Sequence, residues 1–395
     1  MACLSDRQSA AIRLLLCLAV AVIPALSIYG PRASSSSPGS QTPSRKKATP
    51  ASANRQKSKV SPTPSPTPAW FERLGEPPPA PTPKPEQEIN PGDVISVETT
   101  EVMLPVTVRD ANGRLVSALV RDDFRVFEDN QQQPLRDLAL RQVPVDAVLM
   151  VDTSSSTARN LDDFRRAAEG FAARLGSDDR ISLIKFDDSV QLLQDWTKSR
   201  FQLRRALTRI VPGMFTRFND ALLLAAREQY GSTRSRRAVI VLTDGIDSGR
   251  GTTLENAVRA LLEAQVTVYV VSNTEISRAQ KLADLDSLTR GTEASRRFNK
   301  LQIDDLQMGL QALDQSEQML TQLTEATGGR LYKPQGFDAL EATYGEVAEE
   351  LRHQYALYYT PQNKTRDGGF RRVRVEATNP SYKTQTRIGY FAPKT

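Results

Sequence analysis

The spacing of apolar residues divides the chain into regions with different predicted folds. From residue 94 to 140, apolar and polar residues alternate, as they do in strands that bury one face. From 145 to about 331, short apolar runs alternate with segments in which apolar residues recur at helical spacing. A period of two returns between residues 355 and 391. The pattern therefore predicts an α/β region between two antiparallel β-segments.

The α/β region is expected to form a mostly parallel, Rossmann-like sheet with helices on both faces. Its predicted strands are 145–151, 181–186, 190–193, 237–242 and 266–271. Its predicted helices are about 161–175, 200–211, 219–230, 253–263 and 303–326, and a last helix carries apolar residues from 337 to 351. Residues 275–302 are polar and charged, and we expect an irregular insertion there.

The two β-segments are too short to form separate domains, because neither contains enough alternating strands for a two-layer core. We therefore predict one small antiparallel β-sandwich made of residues 92–140 and 354–395. The α/β domain, residues 141–353, is expected to be inserted into this sandwich, which brings its two ends close together.

A polar motif follows the first strand of the α/β region. The apolar run Ala147–Val151 stops at Asp152, and Ser154 and Ser156 come next. An unbroken apolar run predicts a strand buried on both faces, so these side chains lie at its carboxyl end, where open α/β sheets bind ligands. One carboxylate and two hydroxyls can direct three oxygens at one point, which suits Mg²⁺, Mn²⁺ or Ca²⁺. The alternative is that the same residues only cap the next helix.

Two further loops carry oxygen-bearing side chains. Thr216 precedes the predicted helix 219–230, and Asp244 directly follows the strand 237–242. Since parallel strands end at the same edge of a sheet, Asp244 is expected beside Asp152. Each residue alone is also typical of a helix cap or a turn, but their convergence on one edge favours a metal site.

These residues together resemble the metal site of the von Willebrand factor type A (vWA) domain. The segment from Asp152 to Ser156 matches the family's Asp-x-Ser-x-Ser motif, and Thr216 and Asp244 match ligands from its second and third loops. The resemblance covers about residues 141–335. It implies a metal-ion-dependent adhesion site that holds Mg²⁺ or Mn²⁺, with Ca²⁺ as a third option, and that binds an Asp or Glu of a protein partner.

Met214 and Phe215 depart from the family pattern, in which small Gly residues are common before this Thr, and we expect them to form a rim that contacts the partner. The insertion at 275–302 has no family counterpart that can be placed. The wider layout resembles a group of exported bacterial vWA-related proteins. Three segments outside the vWA region carry this second resemblance: Pro105–Gly113, Asp122–Asp129 and Gly389–Pro393.

The amino-acid composition argues against several kinds of metal site and active site. His353 is the single histidine, and the two cysteines, Cys3 and Cys17, lie near the start of the chain. This argues against a Cys/His zinc site and a Cys-His nucleophile, and no G-x-S-x-G motif accompanies His353. We therefore expect no enzyme, but an adhesion-type, metal-dependent binding module. The alternatives are an envelope assembly or scaffold factor and, ranked lower, a metal-assisted hydrolase.

The net positive charge of the chain comes from residues 1–71. Nine basic residues and one acidic residue give residues 1–71 a net charge of +8, so residues 72–395 carry −2 of the total of +6. A mildly acidic folded part argues against nucleic acid as a partner.

The first 91 residues are predicted to serve export and spacing. Arg7 and Arg13 precede the apolar run Leu14–Ile28, which is short for a membrane span, and a small-x-small triplet lies near its end. Residues 1–30 are therefore read as a signal peptide, or alternatively as an uncleaved membrane tether. Residues 31–91 are rich in Ser, Pro and basic residues and are expected to be a disordered linker. We expect an exported protein, extracellular or periplasmic.

Overall fold

The computed structural model describes residues 101–140, 143–154, 160–230, 235–247 and 251–394. The predicted signal segment and linker, residues 1–91, lie outside the described residues, as does Ser156.

The described residues contain short strands and mostly amphipathic helices. The strands are β1 (Val102–Arg109), β2 (Phe124–Glu128), β3 (Gln131–Gln133), β4 (Leu135–Leu140), β5 (Val145–Asp152), β6 (Arg180–Phe186), β7 (Val190–Thr197), β8 (Arg236–Thr243), β9 (Thr267–Ser272), β10 (Leu331–Tyr332), β11 (Tyr355–Tyr359), β12 (Phe370–Ala377), β13 (Lys383–Gln385) and β14 (Gly389–Phe391). The helices are α1 (Leu161–Arg174), α2 (Arg200–Leu207), α3 (Phe218–Leu224), α4 (Leu254–Glu263), α5 (Thr274–Thr289), α6 (Glu293–Phe298), α7 (Lys300–Thr327) and α8 (Leu340–His353). A π-helical turn, Ala225–Gln229, extends α3, and 3₁₀ turns lie at Arg121–Asp123 and Phe337–Ala339.

The α/β domain is built on a six-stranded sheet in the order β10-β9-β8-β5-β6-β7. All neighbouring strands are parallel except β6 and β7. The chain leaves β5 toward β6 on one side and later enters β8 on the other side, so the strand order reverses between β5 and β8. In doubly wound sheets such a switch point opens a crevice where the parallel strands end. We call this the carboxyl edge, and the opposite one the amino edge.

Helices cover both faces of this sheet. All eight residues of β5 are buried, as expected for a central strand with cores on both sides. On one face, α1, α2 and α8 pack together, with Phe164 and Phe171 of α1 placed edge-on against Tyr344. On the other face lie α3, α4 and the second half of α7. The helical spacing of apolar residues in the sequence is what produces these buried stripes.

The remaining strands form two antiparallel four-stranded sheets, β13-β1-β11-β4 and β14-β12-β2-β3. Each sheet combines strands from before and after the α/β domain, since β1 pairs with β11 and β2 with β12. Their apolar faces share one core, which includes Leu104, Val126, Leu357 and Val375. The expected fold class, a Rossmann-like α/β domain inserted in a small β-sandwich, is confirmed. The residue boundaries of the domains stay predictions.

The prediction that residues 275–302 are irregular is wrong. They form α5, α6 and the start of α7. Helices that bury only a narrow stripe against each other need few apolar residues, so the helical period in this segment is weak. Smaller differences lie elsewhere: α2 ends at Leu207 instead of near 211, and β7 is antiparallel and continues to Thr197.

A buried carboxylate connects the two domains at the amino edge. Glu350 of α8 is fully buried and pairs with Arg109 of β1. Its carboxylate also accepts hydrogen bonds from the Tyr332 hydroxyl at 2.8 Å and the Thr107 hydroxyl at 3.3 Å. Strands of both domains therefore meet at one charged group.

We expect Glu350→Ala to lower the free energy of unfolding by about 3–5 kcal/mol, because it leaves the Arg109 guanidinium without its partner in a mostly buried place. Urea unfolding measures this. The matched control is Glu349→Ala, which removes an exposed carboxylate beside Arg352 and should change stability by less than about 0.5 kcal/mol. Equal effects of the two substitutions would contradict the role assigned to Glu350.

Candidate metal centre

Asp152 is the last residue of β5 and is fully buried at the carboxyl edge. The backbone N–H of Ser154 donates to its Oδ1 at 2.9 Å, and the Thr243 hydroxyl donates to its Oδ2 at 2.9 Å. Thr243 ends β8, the neighbour of β5, so the two strands at the switch point are joined through this carboxylate. These contacts hold Asp152 in one orientation.

Asp244 follows β8 and is also buried. Its Oδ1 accepts a hydrogen bond from the Ile246 N–H at 3.2 Å. The turn depends on Gly245, which has a φ of +73°, and a Cβ there would lie 2.6 Å from the Ser316 Oγ of α7. The Ser316 hydroxyl donates to the Asp244 carbonyl. A left-handed glycine and a packed helix thus set the position of this loop.

The two carboxylates affect each other. Burial raises the pKa of Asp152 to about 7, and the negative charge of Asp244 adds to this increase. Two buried like charges are unfavourable unless a proton or a cation balances them. No three His, Cys, Asp or Glu side chains form a metal-binding group among the described residues, so a cation here needs hydroxyl oxygens as well. Asp152 and Asp244 with neighbouring hydroxyls fit a hard divalent cation.

The loop that carries Thr216 lies against the loop that follows β5. The N–H of Gly213 donates to the Thr153 carbonyl at 2.9 Å, and both Ser154 and Thr216 are buried. The structure therefore brings Asp152, Ser154 and Asp244 to one edge and places the Thr216 loop beside them. Their assignment as metal ligands, like that of Ser156, stays a prediction.

Asp187 is a residue that the sequence interpretation missed. It follows β6, and its Oδ2 accepts a hydrogen bond from the Thr153 hydroxyl at 2.8 Å and pairs with the buried Lys185. Burial acts to raise the pKa of Asp187, but hydrogen bonds from Lys185, Ser189 and Thr153 outweigh it, and the pKa lies below its ordinary value. A Cβ at Gly213 would lie 2.5 Å from the Asp187 Cβ. Asp187 thus clamps the Thr153 and Gly213 loops together.

Asp188 holds the rim. Its carboxylate accepts hydrogen bonds from the backbone N–H groups of Met214 at 3.1 Å and Phe215 at 3.3 Å. The two side chains point outward and are 73% and 61% exposed. The Asp187-Asp188 pair directly follows a parallel strand. The sequence signal that identified Asp152 and Asp244, a polar residue at the carboxyl end of a buried strand, is therefore present for this pair as well.

The sequence from β5 to the loop after β8 has known relatives. Residues 147–246 match the family model of the von Willebrand factor type A domain. The chain contains a von Willebrand factor type A domain. The comparison with curated proteins gave no match. No described helix of the chain combines the length and the apolar content needed to cross a bilayer.

Several solved structures are similar to this chain at low identity. One is proximal thread matrix protein 1 from the mussel byssus, described with a zinc-occupied MIDAS motif, at 14% identity and a TM-score of 0.41; the match covers 57% of this chain and 50% of that one. The chain thus spans about half the length of the mussel protein. Another is an aerotolerance-related membrane protein from Bacteroides fragilis, at 15% identity, 52% and 99% coverage and a TM-score of 0.37. A third is a von Willebrand factor type A protein from Catenulispora acidiphila, at 10% identity, 76% and 75% coverage and a TM-score of 0.40.

The raised pKa of Asp152 predicts a pH dependence for the vWA domain without metal. Between pH 3.8 and about 7 the unfolded chain has released a proton that folded Asp152 keeps. The free energy of unfolding should therefore fall as the pH rises through this window, by up to about 1.4 kcal/mol per pH unit. Urea unfolding in chelator measures the slope. Asp152→Asn should flatten it, and an unchanged slope in that variant would assign the effect to other groups.

The contacts of Asp187 with Lys185 and Thr153 predict that its substitution affects stability and metal affinity separately. Asp187→Ala should lower the free energy of unfolding by about 3 kcal/mol, because the Lys185 ammonium is left buried and unpaired. The double variant Lys185→Met with Asp187→Ala should recover part of this loss. Its affinity for Mn²⁺, measured by calorimetry, should stay reduced because the Thr153 contact is still missing. A double variant with wild-type metal affinity would show that the clamp is structural only.

Proposed function

We propose that this chain is an exported, adhesion-type module that binds a protein partner through a divalent cation. The cation, Mg²⁺ or Mn²⁺ with Ca²⁺ as a third option, would be held by five residues: Asp152, Ser154, Ser156, Thr216 and Asp244. The observation that carries this proposal is the burial of two carboxylates, Asp152 and Asp244, side by side at the switch point of the sheet. A partner carboxylate would complete the coordination.

The donor set favours binding of an outside acid. Three of the proposed ligands are neutral hydroxyls, so a bound cation keeps much of its charge and attracts a further anionic oxygen. The chain's own residues act by holding these donors still: Thr243 and the Ser154 amide orient Asp152, and the Gly213 contact supports the Thr216 loop. An Asp or Glu of the partner supplies the missing anionic oxygen.

The surroundings of the site suit a protein surface. Met214, Phe215 and Ile246 are exposed apolar side chains on the loops of the carboxyl edge, and exposed apolar groups near polar ones are typical of protein contacts. His353 ends α8 at the amino edge, opposite the candidate site, so the chain's one histidine does not serve as a base there. This favours binding over catalysis.

Export is proposed from the sequence of the first residues. The basic start and the apolar run Leu14–Ile28 are typical of a secretory signal or a membrane tether. A linker from residue 31 to 91 would then hold the folded part away from the membrane or wall.

Calorimetric titration with Mg²⁺ or Mn²⁺ tests the metal site. Asp152→Ala should abolish binding, because it removes the most buried carboxylate of the site. Asp244→Ala should weaken binding by about ten- to a hundredfold. The control is Asp162→Ala, an exposed residue of α1, which should titrate like wild type. If Asp152→Ala also titrates like wild type, the residues after β5 are helix caps and the proposal fails.

The second arm tests the partner contact. A protein retained by the immobilised chain in Mg²⁺ should be released by chelator and should not bind the Asp152→Ala variant. Changing the critical Asp or Glu of that protein to its amide should remove most of the affinity, because the amide is a neutral and weaker ligand. Retention that survives both chelator and the amide change would show that the partner is held by other surfaces.

A further inference from the structure

The helices after β9 project from the α/β domain. None of the residues from 277 to 312 is buried, although α5 and the first part of α7 pack on each other along this segment. Burial in α7 begins at Leu313 and continues to Thr327. We call residues 277–312 the helical extension. A segment with so little buried surface is supported at its base and not by the sheet.

The direction of α7 shows where the extension points. The Ser316 hydroxyl contacts the Asp244 carbonyl at the carboxyl edge, and the Thr327 hydroxyl accepts a hydrogen bond from the Val268 N–H at the start of β9. The helix therefore runs antiparallel to the strands. Residues 300–315 continue past the carboxyl edge by about 24 Å, at 1.5 Å per helical residue. The end of the extension is the part farthest from the sheet.

This end carries exposed apolar side chains beside basic ones. Phe298 is 90% exposed and Leu301 is 84% exposed. Arg296 and Lys300 flank them, and no acidic side chain among the described residues pairs with either. Arg290 and Arg297 also lie here, and they pair with Asp286 and Glu293. Residues 290–301, which we call the tip, thus present an apolar pair beside two basic side chains that form no ion pair within the described part of the chain, and the carboxylates of Asp304 and Asp305 follow one turn farther along α7.

We propose that the tip is a membrane-contact element that inserts Phe298 and Leu301 into a bilayer with anionic headgroups. Apolar side chains that enter the interface, flanked by basic residues that remain at the headgroups, are the composition of interfacial helices. Arg296 and Lys300 complement the negative surface potential of anionic lipid. The apolar pair is small and stands at the end of a projecting helix pair, where a bilayer surface can reach it.

The contact would orient the molecule. With the tip at the bilayer, the carboxyl edge faces the membrane at a distance of about 24 Å, the length of the projecting part of α7. The candidate metal centre would then meet partners that protrude from the same membrane. The lipid contact itself uses none of the proposed metal ligands, so it is independent of the cation.

A local fluorescent probe tests the insertion in the full chain, whatever the first residues do at a membrane. Phe298→Trp places a tryptophan in the tip, and Phe201→Trp, at a 73% exposed position of α2 by the amino edge, is the matched control. Both variants share the two native tryptophans. With vesicles of equimolar phosphatidylcholine and phosphatidylglycerol carrying brominated acyl chains, the emission of the first variant should shift to the blue and be quenched. The control should show neither change.

Two further experiments test the role of the basic residues and the independence from the metal. Adding Arg296→Glu and Lys300→Glu to Phe298→Trp should weaken the vesicle response by about tenfold or more, and pure phosphatidylcholine should give a much smaller response. Chelator and Asp152→Ala should leave the response unchanged, which separates this inference from the metal-dependent function. Quenching equal to that of the Phe201→Trp control, or equal responses to neutral and anionic vesicles, would overturn the proposal. So would a blue shift that appears with rising protein concentration without lipid, since that indicates self-association.

Discussion

Two buried carboxylates at the ends of neighbouring strands, Asp152 and Asp244, are the constraint on which the structure of the carboxyl edge depends. Asp152 is the last residue of β5 and Asp244 directly follows β8, and these two strands are neighbours in the sheet. Thr243 and Ser154 donate hydrogen bonds to the Asp152 carboxylate. Burial and the negative charge of Asp244 nevertheless disfavour the ionised form of Asp152 and raise its pKa. A proton balances the charge of Asp152 at low pH, and a cation is the natural balance at neutral pH. The carboxyl edge therefore has the charge that a divalent cation can balance.

The surrounding loops are built to keep these carboxylates in place. Asp187 connects the loop after β5, the end of β6 and, through steric contact with Gly213, the Thr216 loop. A buried ion pair such as Lys185–Asp187 is weak evidence for net stability, since desolvation offsets much of its attraction. Its clear effect is geometric, because three loops acquire one common anchor. A pre-organised set of donors is what a selective metal site requires.

The two additions to the α/β domain lie at opposite edges of its sheet. The β-sandwich joins the amino edge, where Glu350 ties α8 to β1, while the helical extension projects from the carboxyl edge beside Asp244. The extension thus gives the side of the candidate metal centre a second exposed surface, Phe298 and Leu301. The sandwich and the candidate metal centre therefore lie at opposite edges of the sheet, because the parallel strands share one direction.

Local sequence was sufficient for the fold class, and it also selected the candidate site residues, whose role as metal ligands stays a prediction. The buried run of β5 and the polar residues directly after it identify a parallel strand and its ligand-binding end, and both depend only on neighbours in the chain. The roles of Thr243, Asp187 and Gly213 were not predictable in this way, because each depends on a contact between loops far apart in the sequence. The helical extension was missed for a related reason: α5 and α7 stabilise each other, so neither carries a strong apolar period of its own. Tertiary packing decided which polar residues meet, since only the folded sheet places the ends of separate strands at one edge.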